Sequence, residues 1–147
     1  MRIAVVGSGY VGLVAGACLA DLGHDVMVVD NDQEKLAALR RGEVPIHEQF
    51  LPELLQRHRD RRLHFSDDLH AAVRASSAIF VAVGTPPTDS GDADLSFVES
   101  VAREISGAID EGGKARSTAA ASRIFKIAER AASLRRKRTA STTDSWR

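Results

Sequence analysis

The chain alternates short apolar runs with longer segments in which apolar residues recur every three or four positions. Short apolar runs are typical of strands in a parallel sheet, and the longer periodicity predicts helices. The predicted strands are residues 3–6, 26–29, 63–65 and 78–83. The predicted helices are residues 10–22, 32–41, 52–59, 67–75 and 96–109. This alternation predicts an α/β fold, a Rossmann-type doubly wound parallel sheet that is incomplete because only four strands are expected.

Polar and glycine residues mark the ends of several predicted helices. Asn31 and Glu34 have the spacing of a capping box at the start of the second helix. Ser66 is predicted to cap the helix over residues 67–75. Gly23 is predicted to end the first helix, because glycine tolerates the left-handed conformation found there.

The first strand leads into Gly-Ser-Gly-Tyr-Val-Gly at residues 7–12, which has the spacing G-x-G-x-x-G. Gly7 allows a sharp turn, Gly9 lets a pyrophosphate approach the backbone, and Gly12 lets the helix pack close to the strand. The free N–H groups of the first helical turn then face an anion, assisted by the helix dipole. Because the motif follows a strand and opens a helix, it indicates a dinucleotide site rather than a glycine-rich turn without a ligand.

Two further turns follow strands and carry candidate binding residues. Asp30 ends the second apolar run, 18 residues after Gly12, where a dinucleotide site uses an acid to bind the adenosine ribose. Gly84, Thr85 and Pro86 follow the fourth strand. The carboxyl ends of parallel strands lie at one edge of the sheet, so these turns and the glycine motif are expected to line one crevice.

The composition is that of a single domain with an aliphatic core, since 44% of the 147 residues are hydrophobic and 5% are aromatic. Cys18 is the only cysteine, which excludes an intramolecular disulfide and a cysteine cluster for zinc. It falls in the middle of the first helix among small residues, so we expect a buried and unreactive thiol. No metal site is predicted.

The net charge of zero combines two segments of opposite charge. Residues 1–110 contain 10 Lys/Arg and 17 Asp/Glu, whereas residues 111–147 contain 10 Lys/Arg and 3 Asp/Glu. We therefore predict a domain over residues 1–110 and a basic tail over residues 111–147 that is helical or disordered. The tail has no DNA-reading motif, so nucleic-acid binding is not expected. Its abrupt change in composition favours a non-native continuation produced by truncation or a shifted reading frame.

The amino terminus does not have the pattern of a signal peptide, because Met1-Arg2-Ile3 leads straight into a strand. No apolar run reaches the length that spans a membrane. From the sequence we expect a soluble, cytoplasmic protein without a membrane partner.

Four motifs together resemble the amino-terminal domain of the UDP-glucose/GDP-mannose dehydrogenase family. The Tyr-Val-Gly ending of the first and the Gly-Thr-Pro of the last are more specific than the glycine spacing alone. The resemblance covers about residues 1–110. The motifs are Gly-Ser-Gly-Tyr-Val-Gly at residues 7–12, Val29-Asp30 followed by Lys35, Pro45-Ile46-His47-Glu48, and Val83-Gly84-Thr85-Pro86.

The resemblance implies NAD as the cofactor and assigns residues to it. Val11 would supply a backbone N–H near the pyrophosphate, Asp30 and Lys35 would hold the adenosine ribose, and the turn after the fourth strand would line the nicotinamide side. Asp30 favours NAD over NADP, because a carboxylate repels a 2′-phosphate. The complete set of implied cofactor-binding residues is Gly7, Gly9, Tyr10, Val11, Gly12, Asp30, Lys35, Gly84, Thr85 and Pro86.

The family reaction, a step of nucleotide-sugar metabolism and polysaccharide biosynthesis, oxidises the C6 alcohol of a nucleotide sugar to a carboxylate. It uses two NAD and passes through an aldehyde and a cysteine thioester. The family's catalytic cysteine and lysine lie beyond the length of this sequence, so we expect no catalytic residue in it and no activity by itself. A nucleotide sugar is expected as a partner only in the full-length family.

The sequence departs from the family pattern in two places, and alternatives stay open. The family's Glu-Pro-Gly-Leu reads Glu-Gln-Phe-Leu at residues 48–51, and the expected fifth strand is missing after Asp110. One alternative is another Rossmann dehydrogenase of the 6-phosphogluconate or hydroxyacyl-CoA type, which the Gly-Thr-Pro turn disfavours. The other is a non-catalytic dinucleotide-binding or interaction module. The fourth strand is expected to be an exposed apolar edge, through which we expect self-association.

Overall fold

A computed structural model of the chain describes residues 1–44, 48, 50–89 and 91–111. Every predicted strand and helix is found within these residues, whereas the predicted basic tail lies outside them from residue 112 onward. The strands are β1 (Arg2–Val6), β2 (Asp25–Val29), β3 (Leu63–Ser66) and β4 (Ala78–Val81). The helices are α1 (Tyr10–Asp21), α2 (Gln33–Arg41), α3 (Leu51–His58), α4 (Leu69–Ala75) and α5 (Ser96–Glu111).

The four strands are parallel and lie in the order β3-β2-β1-β4, which confirms the predicted doubly wound sheet. Val6 at the end of β1 pairs with Val29 on one side and with Val81 on the other, and Val29 pairs with Ser66. The carboxyl ends of all four strands therefore lie at one edge of the sheet. β1 is central, and each of its residues after Arg2 is buried.

Helices cover both faces of the sheet. Side chains alternate between the two faces along each strand, so each face presents its own apolar residues for helices to pack against. On one face, Ile3 and Val5 of β1 belong to a core that also contains residues of α1 and α3. On the other face, Ala4 packs with Ala72 of α4, and β4 contributes Ile79 and Val81 to a cluster with α5. Within the described ranges, no helix is both long and apolar enough to cross a membrane.

Two helices begin one or two residues later than predicted, so the predicted caps are wrong. Asp32 rather than Asn31 caps α2, and its carboxylate accepts from the Lys35 N–H. In α4 the cap is Asp68 rather than Ser66. The physical reason is the same in both cases: a side chain two residues earlier, Asp30 or Ser66, accepts from the N–H of the cap residue. A turn closed by such a side-chain hydrogen bond occupies the residues just after the strand, so the helix begins later.

The end of α1 confirms the prediction for Gly23. Its φ is +93°, in the left-handed region, and its N–H donates to the Ala20 carbonyl at 3.0 Å. The N–H of His24 donates to the Leu19 carbonyl, which completes a Schellman motif.

Two smaller predictions are corrected by the structure. β4 ends at Val81 rather than at residue 83, although the Ala82 N–H still donates to the Val6 carbonyl at 2.7 Å. Cys18 is exposed rather than buried. The buried side of α1 contains Leu13 and small residues such as Ala17, and the turn of the helix directs Cys18 away from it.

Candidate functional site

Three loops meet at the carboxyl edge of the sheet. The loop after β1 is held between its neighbours, because the Gly7 N–H donates to the Val29 carbonyl and the Ala82 N–H donates to the Val6 carbonyl, both at 2.7 Å. Asp30 directly follows β2, and its N–H donates to the Ser66 carbonyl at the end of β3. The glycine motif, Asp30 and the start of the 82–86 segment therefore share one edge, as the strand order requires.

Gly7 and Gly12 are required by the packing of this loop. Gly7 has φ +105°, and a Cβ placed on it would lie 2.6 Å from the Ala82 carbonyl oxygen. A Cβ on Gly12 would lie 1.8 Å from the Gly7 carbonyl oxygen. The predicted sharp turn and the predicted close packing of α1 are thus confirmed, and the atoms that enforce them belong to backbone rather than to flexible side chains.

The space beside Gly9 is open, in contrast to the space beside Gly7 and Gly12, the other two glycines of the motif. No atom lies within 4 Å of the position of a Cβ on Gly9. This residue is also the N-cap of α1, so the cap has no side-chain hydrogen bond. The first turn of α1 also contains no acidic residue. By comparison, α2 and α4 are capped by aspartates. The amino end of α1 is thus suited to receive an external anion at its N–H groups.

Asp30 is the best-connected polar side chain at this edge, and it is only 10% exposed. Its Oδ2 accepts from the Ser8 N–H at 2.7 Å and from the Ser8 Oγ at 2.5 Å. Its Oδ1 accepts from the Asp32 N–H at 3.1 Å. The Lys35 Nζ lies 3.7 Å from Oδ2 and at the same distance from an Asp32 carboxylate oxygen. The structure therefore places Lys35 beside Asp30, the two residues that the family resemblance assigns to the adenosine ribose.

These contacts keep Asp30 ionised. Burial raises its pKa and is the largest single influence on it, but the hydrogen bonds from Ser8 and Asp32 and the charge of Lys35 together outweigh burial. The pKa of Asp30 consequently lies below its ordinary value. A carboxylate of this kind accepts hydrogen bonds from hydroxyl groups and repels a phosphate.

Tyr10 makes a contact that the sequence did not reveal. It lies on the exposed side of the first turn of α1, and its hydroxyl donates to the Glu48 carboxylate. This hydrogen bond, with the negative charge of Glu48, raises the pKa of Tyr10. Glu48 belongs to the Pro-Ile-His-Glu motif, whose residues 45–47 lie outside the described residues. The contact ties the segment before α3 to the amino end of α1.

Gly84, Thr85 and Pro86 are exposed in the segment that follows β4. The Pro86 carbonyl accepts from the Asp94 N–H at 2.8 Å, and an antiparallel bridge pairs Pro87 with Ala93. These bonds anchor the far end of the turn, so its backbone position is defined from both sides.

Ser8 is the site residue that sequence reasoning missed. It is 1% exposed and forms the shortest contacts of Asp30, yet it occupies a variable position of the glycine motif. The available signal was a hydroxyl residue next to the first glycine after β1, the strand that neighbours the one preceding Asp30. For metal ions the described part of the chain offers no cluster of three His, Cys, Asp or Glu side chains.

A parallel sheet, a glycine turn that opens an uncapped helix, and a partly buried carboxylate at the end of the neighbouring strand define a dinucleotide-binding Rossmann domain. The family model described as "UDP-glucose/GDP-mannose dehydrogenase family, NAD binding domain" matches residues 1–137. The chain therefore belongs to the UDP-glucose/GDP-mannose dehydrogenase family, and its cofactor is NAD.

Individual relatives agree with this assignment. The UDP-glucose 6-dehydrogenase of Rhizobium meliloti is 51% identical over 107 residues, which cover 71% of this chain and 24% of that protein. Among solved structures, the UDP-glucose dehydrogenase of Pyrobaculum islandicum is 41% identical with a TM-score of 0.72, over 76% of this chain and 26% of that one.

A ternary complex of GDP-mannose dehydrogenase from Pseudomonas aeruginosa is also similar, at 44% identity and a TM-score of 0.71, over 74% of this chain and 25% of that one. The chain thus spans about a quarter of the length of these three relatives. The relatives align over a shorter stretch than the family model, whose match extends into the basic segment.

The residues at the sheet edge fit NAD. The open position beside Gly9 leaves room for a pyrophosphate, and the first turn of α1 contains no acidic residue. Asp30 presents an ionised acceptor of the kind that ribose hydroxyls require.

Proposed function

We propose that this chain provides the NAD site of a nucleotide-sugar 6-dehydrogenase that acts on UDP-glucose. The observation that carries the proposal is that two groups lie together at one edge of the sheet. They are the open, uncapped amino end of α1 and the Asp30 carboxylate that follows the neighbouring strand. The similarity to a UDP-glucose 6-dehydrogenase supports the choice of sugar nucleotide. In the complete enzyme, NAD would accept hydride as the C6 alcohol is oxidised to a carboxylate.

Each proposed binding residue has a definite task. Asp30 and Lys35 would bind the adenosine ribose, since one supplies a carboxylate and the other an ammonium group 3.7 Å away. The N–H of Val11, in the first turn of α1, would face the pyrophosphate.

The remaining members of the proposed site shape it or border it. Gly7 and Gly12 set the path of the loop, and Gly9 leaves the space for the pyrophosphate. Tyr10 borders the same helix end. Gly84, Thr85 and Pro86, on the turn after β4, would line the nicotinamide side. A protein that uses NAD in nucleotide-sugar metabolism would act in the cytoplasm, which we propose as its location.

The choice of cofactor provides the test of this proposal. NAD is expected to bind more tightly than NADP, because Asp30 accepts from ribose hydroxyls and repels a 2′-phosphate. Replacing Asp30 by alanine should weaken NAD binding by about 1–3 kcal/mol, the range for a hydrogen bond to a charged group. Isothermal titration calorimetry of the whole chain with each cofactor measures both effects. Equal affinity for the two cofactors, or a preference for NADP, would contradict the proposal.

A second variant separates cofactor binding from folding. Gly9→Ala should fold normally, because no atom lies within 4 Å of the added Cβ. It should nevertheless bind NAD more weakly, since the methyl group would occupy the space that the pyrophosphate needs. Circular dichroism checks the fold, and the same calorimetric titration measures binding. Unchanged NAD affinity in a folded Gly9→Ala variant would argue against a pyrophosphate at this loop.

A further inference from the structure

The hydrogen bonds between the glycine loop and Asp30 link two parts of the proposed cofactor site. Ser8 belongs to the loop that would face the pyrophosphate, whereas Asp30 would face the adenosine ribose. The Ser8 N–H and Oγ both donate to Oδ2 of Asp30, at 2.7 and 2.5 Å. Ser8 is 1% exposed, so both of its donors are shielded from water.

The distribution of these bonds leaves the two carboxylate oxygens unequal. Each oxygen of a carboxylate offers about two lone pairs to hydrogen-bond donors. On Oδ2 both are used by Ser8, and Lys35 lies 3.7 Å away. On Oδ1 one is used by the Asp32 N–H, which leaves one for another donor. The acceptor available to a ribose hydroxyl is therefore Oδ1.

From this geometry we infer that Ser8 is a positioning residue, which fixes the orientation of the Asp30 carboxylate so that Oδ1 is presented to the adenosine ribose of NAD. The inference rests on the proposed role of Asp30 in cofactor binding. Lys35, beside the occupied Oδ2, is then the neighbouring group placed to contact the second hydroxyl of the ribose. Ser8 acts through Asp30 and makes no contact of its own with the ribose in this assignment.

The same bonds give the site a dependence on pH. Hydrogen bonds from Ser8 favour the ionised form of Asp30, which adds to the charge of Lys35 and opposes the effect of burial. Among the described residues, the other titratable groups placed against Asp30 are Asp32 and Lys35, and they lie close to one another. Loss of the Ser8 hydroxyl should therefore raise the pKa of Asp30. NAD binding should then weaken at a higher pH on acidification than it does in the wild type.

A double-mutant cycle tests the inference on the whole chain. The Ser8→Ala variant keeps the backbone donor and removes only the hydroxyl. We expect it to weaken NAD binding by about 3- to 30-fold, between the effect of an ordinary hydrogen bond and that of one to a charged group. In an Asp30→Ala background the same change should have little effect, because a residue that acts through Asp30 loses its influence once Asp30 is absent. Ser77→Ala, an exposed serine at the opposite end of β4, serves as the matched control.

Two results of the cycle would overturn the inference. One is unchanged NAD affinity in Ser8→Ala. The other is an equal loss of affinity from Ser8→Ala with and without Asp30, which would mean that Ser8 acts on the loop or on NAD directly.

A measurement without NAD keeps the inference testable even if the cofactor does not bind. Carboxyl carbon NMR can follow the titration of Asp30 in the wild type and in Ser8→Ala, over the pH range in which circular dichroism shows a folded chain. A titration midpoint in the wild type below that of an ordinary aspartate, raised in Ser8→Ala, supports the positioning role. A midpoint that is the same in Ser8→Ala as in the wild type would overturn it. Failure of wild-type NAD binding, with the expected titration, would instead count against the proposed function alone.

Discussion

At residue 12, glycine is required by close packing rather than by an unusual backbone conformation. A Cβ there would lie 1.8 Å from the Gly7 carbonyl oxygen, far inside any allowed contact. Because that oxygen belongs to the backbone of the glycine loop, it cannot move aside as a flexible side chain would. The approach of α1 to the end of β1 thus depends on the missing side chain.

Replacing Gly12 by alanine is expected to lower the free energy of unfolding by about 1–3 kcal/mol or more, the cost of overpacking a tight interior. Urea denaturation followed by circular dichroism measures this change. Gly107→Ala in α5 is the matched control, because no atom lies within 4 Å of its added Cβ. Alanine at that helical position should stabilise the protein by up to about 1 kcal/mol. Similar effects of the two substitutions would show that the loop relaxes around Gly12.

At the scale of elements, the connections from strand to helix follow a repeated plan. After β2 and again after β3, a side chain at the strand end accepts from the N–H two residues later, and that later residue caps the helix. Asp30 and Ser66 are the strand-end residues, and Asp32 and Asp68 are the caps. In the first connection the strand-end residue is also the proposed ribose ligand, so the start of α2 and the cofactor site share a carboxylate.

The position of the cap can be tested with two neighbouring residues. Asp32→Ala should lower the free energy of unfolding by about 1 kcal/mol, because it removes the acceptor for the Lys35 N–H. Asn31→Ala, which alters the cap that the sequence suggested, should have a smaller effect. Chemical denaturation of both variants at neutral pH gives the comparison. A larger decrease in the free energy of unfolding from Asn31→Ala than from Asp32→Ala would show that Asn31 is the cap.

At the scale of the whole molecule, the described sheet has β4 at one edge. Its residues carry neither charge nor proline, and such edges pair readily with other chains. By alternation Phe80 lies on the same face as Ala78, which packs on the α1 core, yet Phe80 itself is 51% exposed. We propose that the chain self-associates through this edge.

Sedimentation velocity tests the proposed self-association. The wild type is expected to form dimers or larger species at micromolar concentrations, and Phe80→Lys should shift it toward monomer, because a lysine opposes edge pairing. Leu22→Lys is a suitable control, since Leu22 is 74% exposed but lies at the carboxyl end of α1. A wild type that remains monomeric, or an equal response to both substitutions, would rule out β4 as the contact.

Catalysis is also a property of the whole molecule, and the isolated chain is not expected to oxidise UDP-glucose. Its cysteine, Cys18, is exposed on α1 and lies well away from the first turn of that helix. Absorbance at 340 nm, the wavelength at which NADH absorbs, reports any NADH formed from NAD and UDP-glucose. NADH formation that disappears in Cys18→Ala would contradict the expectation and assign this thiol a catalytic role.

The sequence by itself determined the order of the elements, the parallel sheet and the position of the glycine turn. These features depend on patterns within a few residues, such as the apolar run before Gly7 and the glycine at residue 23. Such local patterns can be recognised without knowledge of the fold. The family motifs likewise indicated NAD, because they are short and contiguous.

Only the tertiary structure decided which groups meet across long separations. Ser8 reaches Asp30 over 22 positions, and Tyr10 reaches Glu48 over 38. The first contact exists because β1 and β2 pair in the register that sets Val6 opposite Val29. The exposed side of α1, and with it Cys18, was decided by which flank of the helix the core covers. Such contacts depend on the pairing and packing of whole elements, which the sequence around any one residue does not encode.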